Sequence, residues 1–337
     1  MTDAGTARRD PTLAGVEAAL RVIRPHMAET PLVRSEILSR AFDAEIWLKN
    51  ETVLPIASFK LRGALCDLVR ARASGALSGV VASSSGNHGQ GVAWCARHLG
   101  GTADIFVPEG TNPLKRGMIA AFGGCVHEIG ADIDYARAAA IRFAEDRGLY
   151  FVNDGISLDV MEGAATLALE VARALDDFDD LVIPTGGGNL AAGCAALLAE
   201  MRPGARVIAV QPETAPVIVR SFREGRALEV PGESVADGLV SRETVPFAFE
   251  VFCRHVAEGW LCGERQILAA VHTLVESAHL LAEPSGAAGL AAAWAQRDAL
   301  RGRRVVLAIT GGNCSMPQLN EALATPPLFA LADVAGG

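Results

Sequence analysis

The 337-residue chain has no CxxC pair: its seven cysteines are dispersed and odd in number. That excludes a disulfide framework and a closely spaced zinc site. It points to a reduced, cytoplasmic setting in which most thiols are small core side chains. No apolar run approaches the length of a membrane span, and the opening MTDAGTARRD lacks the apolar stretch of a signal peptide, so no membrane partner is expected. Positive charge is also short. Thirty Lys and Arg against 39 Asp and Glu leave a formal charge of −9, without the basic excess that a nucleic-acid surface needs. A small anionic ligand is not excluded, because one nest of backbone N–H groups can hold it. Internal repeats and low-complexity linkers are absent too, so composition marks no domain boundary, and only residues 1–10 and 332–337 read as loose ends.

What is present is ordinary globular composition, half hydrophobic and a fifth charged, in a chain long enough for two domains with a sizeable core. GVVASS (79–84), ADIFVP (103–108), LVIP (181–184), RVIAVQP (206–212) and RRVVLAIT (303–310) are continuous apolar runs rather than two-residue alternations. They predict parallel strands covered on both faces. Helical patterns lie between them, at NHGQGVAWCARHL, DIDYARAAAIRFAEDRG and NLAAGCAALLAEM. Such alternation predicts an α/β fold with parallel-strand-rich sheets flanked by helices. Ligands of such sheets gather beyond the strand carboxyl ends. Four polar loops follow strands here: SSSGNHGQ, PTGGGN, QPET and TGGN. One convergent site is the expectation.

Each loop permits a chemistry and also a plainer role. In PIASFKLRGA (55–64), Ser58 is expected to cap a helix, which puts Lys60 in its first turn. Lys60 there is either a solvated charge or, if partly desolvated, a nucleophilic amine. Thr185-Gly186-Gly187-Gly188-Asn189 joins a strand to a helix, and its glycines let N–H groups approach an oxyanion. A tight turn is the alternative, although three glycines exceed what a turn needs. The segment is neither a Walker loop nor a GxGxxG fingerprint. Ser83-Ser84-Ser85-Gly86-Asn87-His88-Gly89-Gln90 opens a helix and suits a substrate carboxylate, with Asn87 free to meet a ring hydroxyl and His88 as ligand or structural hydrogen-bonder. Thr310 in TGGN is a hydroxyl at a strand end, or a helix cap.

SFKLRGA, SSGNHGQG, the TGGG loop, EPSGAAGLAA (283–292) and TGGN stand in the order and spacing of the fold type II pyridoxal-phosphate enzymes. The chain resembles their threonine/serine dehydratase and serine racemase branch from about Thr30-Pro31-Leu32 to Asn313. The resemblance implies a two-domain, tryptophan synthase β-like fold, with residues 1–76 and 154–330 as the large cofactor-binding domain and 77–153 as the small domain that closes on substrate. It implies pyridoxal 5′-phosphate held by Lys60 as a Schiff base and packed near Phe59. Asn87 would meet the ring hydroxyl, Gly186, Gly187, Gly188, Asn189 and Leu190 the phosphate, and Thr310 the ring nitrogen. A neutral hydroxyl at that nitrogen leaves the ring a weaker electron sink, which favours rapid elimination over transamination. Ser84, Ser85, Asn87 and His88 would bind substrate, a small β-hydroxy amino acid of the threonine, serine or 3-hydroxyaspartate type. The implied reaction is α,β-elimination to a 2-oxo acid and ammonia. Lys60 is its base, the cofactor phosphate donates a proton to the leaving hydroxide, and the enzyme is a homodimer or higher homo-oligomer.

The chain departs from the family at several points. Asn189 replaces the usual fourth glycine, and Pro55-Ile56-Ala57 replaces the common Pro-Thr-Gly. Where relatives hold a divalent cation, this chain has Gln211 and Val217, so no metal is expected there. The chain is short for the regulatory domain of the biosynthetic dehydratases, and end-product feedback is not expected. Ser85 keeps an amino-acid racemase open as the alternative, since racemases of this branch have a serine there opposite the lysine. β-Replacement on an activated serine fits less well, because Ala236-Asp237-Gly238 and EPSGAAG are more dehydratase-like. A 3-hydroxyaspartate substrate would need one more cation, for which Arg116, Arg137 and Arg242 are candidates.

Overall fold

The computed structural model describes residues 10–75, 79–154 and 157–334. Among the described residues ten strands form two sheets: β1 (Leu32–Arg34), β2 (Glu45–Asn50), β3 (Val80–Ser83), β4 (Ala103–Val107), β5 (Gly124–Glu128), β6 (Tyr150–Phe151), β7 (Asp180–Pro184), β8 (Arg206–Pro212), β9 (Glu258–Cys262) and β10 (Arg304–Ile309). The six-stranded sheet runs β1-β2-β10-β7-β8-β9 and the four-stranded sheet β5-β4-β3-β6. All pairs are parallel except β1 with β2. Every residue of β7 is buried, as are all but the first of β8 and of β10. Helices on both faces cause this burial and explain the unbroken apolar runs.

The chain leaves the larger sheet through the Lys60–Ala73 helix, builds β3 to β6, and returns through the Leu158–Ala174 helix. The smaller sheet therefore spans residues 80–151, while the expected boundary at 76/77 lies outside the described residues. Those two helices cross closely. A Cβ on Gly63 would lie 2.8 Å from Val160 Cγ1, and one on Gly163 would lie 2.7 Å from the Arg62 carbonyl, so both positions need glycine. One hydrophobic core runs through the crossing, joining Val80, Ala82 and Ile105 of the smaller sheet to Leu61, Leu65, Met161 and Leu181. The other faces of the two sheets carry separate clusters. Four of the seven cysteines (66, 95, 194 and 262) are buried, whereas Cys125 and Cys253 are exposed.

The structure corrects the start of the Lys60 helix. Its N-cap is Phe59, in helical conformation and without a side-chain cap bond, not Ser58. Ser58 forms an antiparallel bridge with Gly311, and its Oγ still accepts a long bond from Lys60 N at 3.4 Å. The backbone at 57–59 is tied to 310–312 on both sides of that bridge: Phe59 N donates to the Thr310 carbonyl at 3.0 Å and Gly312 N to the Ala57 carbonyl at 2.8 Å. The sheet end thus fixes where the helix begins.

Candidate active site

Lys60 opens its helix beside the carboxyl end of β10, and its Nζ pairs with Asp154 Oδ2. Two buried residues away along the chain, Arg62 anchors the same helix turn. It donates to Glu51 through Nε at 2.7 Å and to Glu170 Oε2 through NH2 at 2.7 Å, while Lys49 Nζ donates to the same Glu170 oxygen at 2.7 Å. Two buried cations therefore face two buried carboxylates. Burial alone would raise the Glu170 carboxyl, but Arg62 and Lys49 hold it at about 2. The balance keeps the charges tolerable away from water.

Lys60 faces a cavity of about 330 Å³ that is also lined by Phe59, Ser83, His88, Asp154 and residues 184–191. Gly186, Gly187, Gly188, Asn189 and Leu190 form its wall. A Cβ on Gly186 would lie 3.0 Å from the Gly238 carbonyl, and Gly188 adopts φ +92°, so the loop needs glycine at both. Asn189 begins a helix through Met201, whose first N–H groups have no partner within the helix and point at the loop. The side chain of Asn189 donates to the Asp154 carbonyl at 2.8 Å. The substitution for a fourth glycine thereby links the loop to the residue that holds Lys60.

Three buried polar atoms on this cavity have no hydrogen-bond partner: Ser83 Oγ, His88 Nε2 and Asn189 Oδ1. A bound polar group would satisfy them, and such orphans are uncommon unless a ligand or water is expected. With the glycine loop and Lys60 amine they fit pyridoxal 5′-phosphate. Burial lowers the pKa of His88, so it is neutral near pH 7; its Nδ1 lies 3.7 Å from Asp154 Oδ1. Burial also opposes ionisation of Asp154, yet Lys60 and then His88 bring its carboxyl down to about 2.

Asn87, Ser84, Ser85 and Thr310 are not on this wall. Asn87 belongs to a chain beside it: its Nδ2 donates to Glu283 Oε1 at 2.7 Å, and its Oδ1 accepts from Asn313 Nδ2 at 2.7 Å. Thr310 is buried, and a Cβ on the adjacent Gly311 would lie 3.4 Å from Asn87 Nδ2. Thr310 and Asn87 are therefore neighbours through Gly311. Ser84 Oγ accepts from Gly86 N at 3.2 Å, and Ser85 is half-buried. Sequence reading missed Asp154, which carries no local motif, and Glu283, which it took only as part of EPSGAAG. Burial pushes the Glu283 carboxyl up to about 7 against the bond from Asn87.

The QPET loop after β8 contributes from behind. Gln211 Nε2 reaches the Gly186 carbonyl at 3.4 Å while Oε1 accepts from Ile218 and Val219 N–H at 2.9 and 3.0 Å. Its amide is thus engaged with backbone, and Val217 is buried. Sequence spacing also gave no hint of Asp104, Cys125 and His127, whose donor atoms lie within 4.8 Å of one another on β4 and β5.

Comparison with known proteins places these features in context. The family model for pyridoxal-phosphate dependent enzymes matches residues 23–311. The L-threonine ammonia-lyase of Thermotoga maritima is 34% identical over 313 residues, covering 93% of this chain and 78% of that protein. The L-threo-3-hydroxyaspartate ammonia-lyase of Saccharomyces cerevisiae is 27% identical over 307 residues, covering 91% and 94%. The structure of maize serine racemase superposes with a TM-score of 0.88 at 25% identity, covering 94% of this chain and 98% of that one.

Proposed function

The chain belongs to the pyridoxal-phosphate-dependent enzymes, and from that premise we propose that it is an ammonia-lyase. Its substrate is a small β-hydroxy amino acid of the threonine, serine or 3-hydroxyaspartate type, converted to a 2-oxo acid and ammonia by α,β-elimination. The observation that carries this reading is the Lys60 amine in a cavity walled by the Gly186–Gly188 loop and three orphaned polar atoms. Bound there, pyridoxal 5′-phosphate supplies the electron sink that acidifies Cα–H and lets a β-substituent leave.

The residues divide the remaining work. Lys60 would hold the cofactor, and its Nζ, when free, is the base placed to take the Cα proton. Asp154, ionised while it pairs with the free Lys60 amine, holds that amine at the cavity. Residues 186–190 hold the phosphate through N–H groups and the helix terminus. Phe59, on the cavity wall, would pack at the ring, while Asn87, oriented by Glu283 and Asn313, and Thr310 lie beside that wall and are the residues proposed for the ring hydroxyl and the ring nitrogen. Ser84, Ser85 and His88 receive the substrate, with the helix start at Asn87 attracting its carboxylate. The enamine product hydrolyses in water.

Residues 1–76 and 154–330 are assigned to the cofactor and 77–153 to closure over substrate. The reading is supported by Ser83, His88 and Arg137 of the smaller segment lining the same cavity as Lys60 and the glycine loop. A cytoplasmic homo-oligomer is part of the proposal; unpaired cysteines and the exposed Val33, Val53, Leu281 and Met316 support it. Racemisation is the second reading, supported by Ser85 and the likeness to maize serine racemase.

Borohydride reduction of the holoenzyme followed by peptide mapping tests the assignment. Cofactor fixed to the peptide with Lys60 is expected, together with 2-oxo acid release from a β-hydroxy amino acid. Labelling of another lysine would overturn it.

A further inference from the structure

Elimination requires a β-hydroxyl but leaves the rest of the side chain unspecified, and the following inference rests on that proposed reaction. We infer that Arg137 is the specificity residue for a distal carboxylate, so that the preferred substrate class is β-hydroxy dicarboxylic amino acids, 3-hydroxyaspartate being the smallest.

Of the three arginines that the sequence offers for this task, two are placed elsewhere. Arg116 pairs with Glu128 and does not line the cavity. Arg242 is also off the wall, with its NH1 3.8 Å from Asp134 Oδ2. Arg137 lines the cavity from the Ile133–Arg147 helix, together with Lys60 and the glycine loop. Its NH2 donates to Asn153 Oδ1 at 3.3 Å, a long bond to a neutral acceptor. Among the described residues no carboxylate forms an ion pair with it, whereas Arg24, Arg62, Arg70, Arg173 and Arg206 each have one.

Charge around the cavity explains why this matters. Asp154 is matched by Lys60, Asp134 lies by Arg242, and His88 is kept neutral by burial. The Arg137 charge is felt at both Asp154 and His88, so its field reaches the reacting end of the site. Among the described residues Arg137 therefore lacks a carboxylate in direct contact, and Asp154, whose Lys60 partner is taken up by the cofactor, acts on it only through longer-range charge; a contacting anion is what it still lacks. A second carboxylate on the substrate supplies it, and the planar guanidinium can take such a group bidentately. A methyl or hydrogen in that position leaves Arg137 to solvent.

The test compares kcat/KM for 3-hydroxyaspartate and threonine in wild type, Arg137→Ala and Arg116→Ala, alongside binding of the unreactive diacid succinate by calorimetry on the holoenzyme. Wild type is expected to favour the diacid. In Arg137→Ala the diacid-to-threonine ratio should fall about 10- to 100-fold, the size of one or two charge-assisted hydrogen bonds, and succinate should weaken in step. Arg116→Ala should leave the ratio unchanged. An unaltered ratio and unaltered succinate affinity in Arg137→Ala would overturn the inference. So would equal losses for both substrates accompanied by cofactor release, which would assign Arg137 to the phosphate. If wild type eliminates neither substrate although Lys60 carries the cofactor, the proposed reaction fails. The carboxylate role is then decided by succinate alone: weakened binding in Arg137→Ala upholds it, and unchanged binding overturns it.

Discussion

Replacing Glu170 by Gln removes one negative charge from the buried set that anchors the Lys60 helix. In the native chain Glu170 Oε2 accepts from Lys49 Nζ and Arg62 NH2, both at 2.7 Å, and Oε1 accepts from Arg24 NH2 at 2.9 Å. Lys49, Arg62, Glu51 and Glu170 are all buried, so two cations balance two carboxylates. Gln preserves the shape but leaves two buried cations against Glu51 alone. Breaking a buried pair in this way costs about 3–5 kcal/mol, a large part of the roughly 5–15 kcal/mol by which domains are stable. Activity should fall as well, since Arg62 fixes the turn that carries Lys60, and a displacement of about 1 Å at a reacting group can cost about 100-fold in rate. Urea unfolding of the holoenzyme measures the first effect and steady-state kinetics the second. The pH dependence gives a separate check. The Glu170 carboxyl is held at about 2, below its ordinary 4.5, so the stability it contributes is present above pH 4.5 and is lost as pH falls toward 2. The gap between wild type and Glu170→Gln should therefore narrow below pH 4.5. A loss under about 1 kcal/mol at pH 7, smaller than any buried-pair rupture, would refute the reasoning.

Ala57 has φ +50°, in the left-handed region where glycine is at ease, so Ala57→Gly should stabilise the chain by about 0.5–1 kcal/mol in thermal unfolding; destabilisation would count against that strain. Ser85→Ala should abolish any racemisation while elimination from the L-substrate survives within about tenfold, because one lost hydrogen bond is worth about 1 kcal/mol. Chiral chromatography in D₂O follows both, and complete loss of the L-reaction would make Ser85 part of elimination itself.

The strands legible in the sequence are those that both faces cover. Arg206–Pro212 has the bounds its apolar run suggested, and β3, β4, β7 and β10 follow theirs within a residue or so. The unread strands lack that signature. β1 has three residues and β6 two, β5 is a half-exposed edge, and β2 and β9 begin with Glu and alternate in burial. The site divides in the same way. Lys60 and the glycine loop were readable because nucleophile and phosphate nest are each built locally. Asp154 was not, since it lies 94 residues from Lys60 and only the packing of the two sheets brings it there.

Ser58 shows how long-range contacts reshape a local rule next to the most legible residue: its Oγ accepts from Lys60 N at 3.4 Å, but the cap position passes to Phe59. A serine two positions before a helical run favours capping by its own side chain. Here the backbone at 57–59 is claimed first by the end of β10, through the Ser58–Gly311 bridge and the bonds on either side of it. The helix consequently starts at Lys60, directly after residues held by the sheet. Arg62 and its buried partners then fix the following turn, and the Gly63–Gly163 approach fixes the next neighbour. Each of these contacts is long-range, and together they leave the Lys60 backbone little room to shift. A reactive amine needs that constraint more than it needs a cap: its aim is set by the sheet end and the buried charges, while its own side chain stays free to change partners.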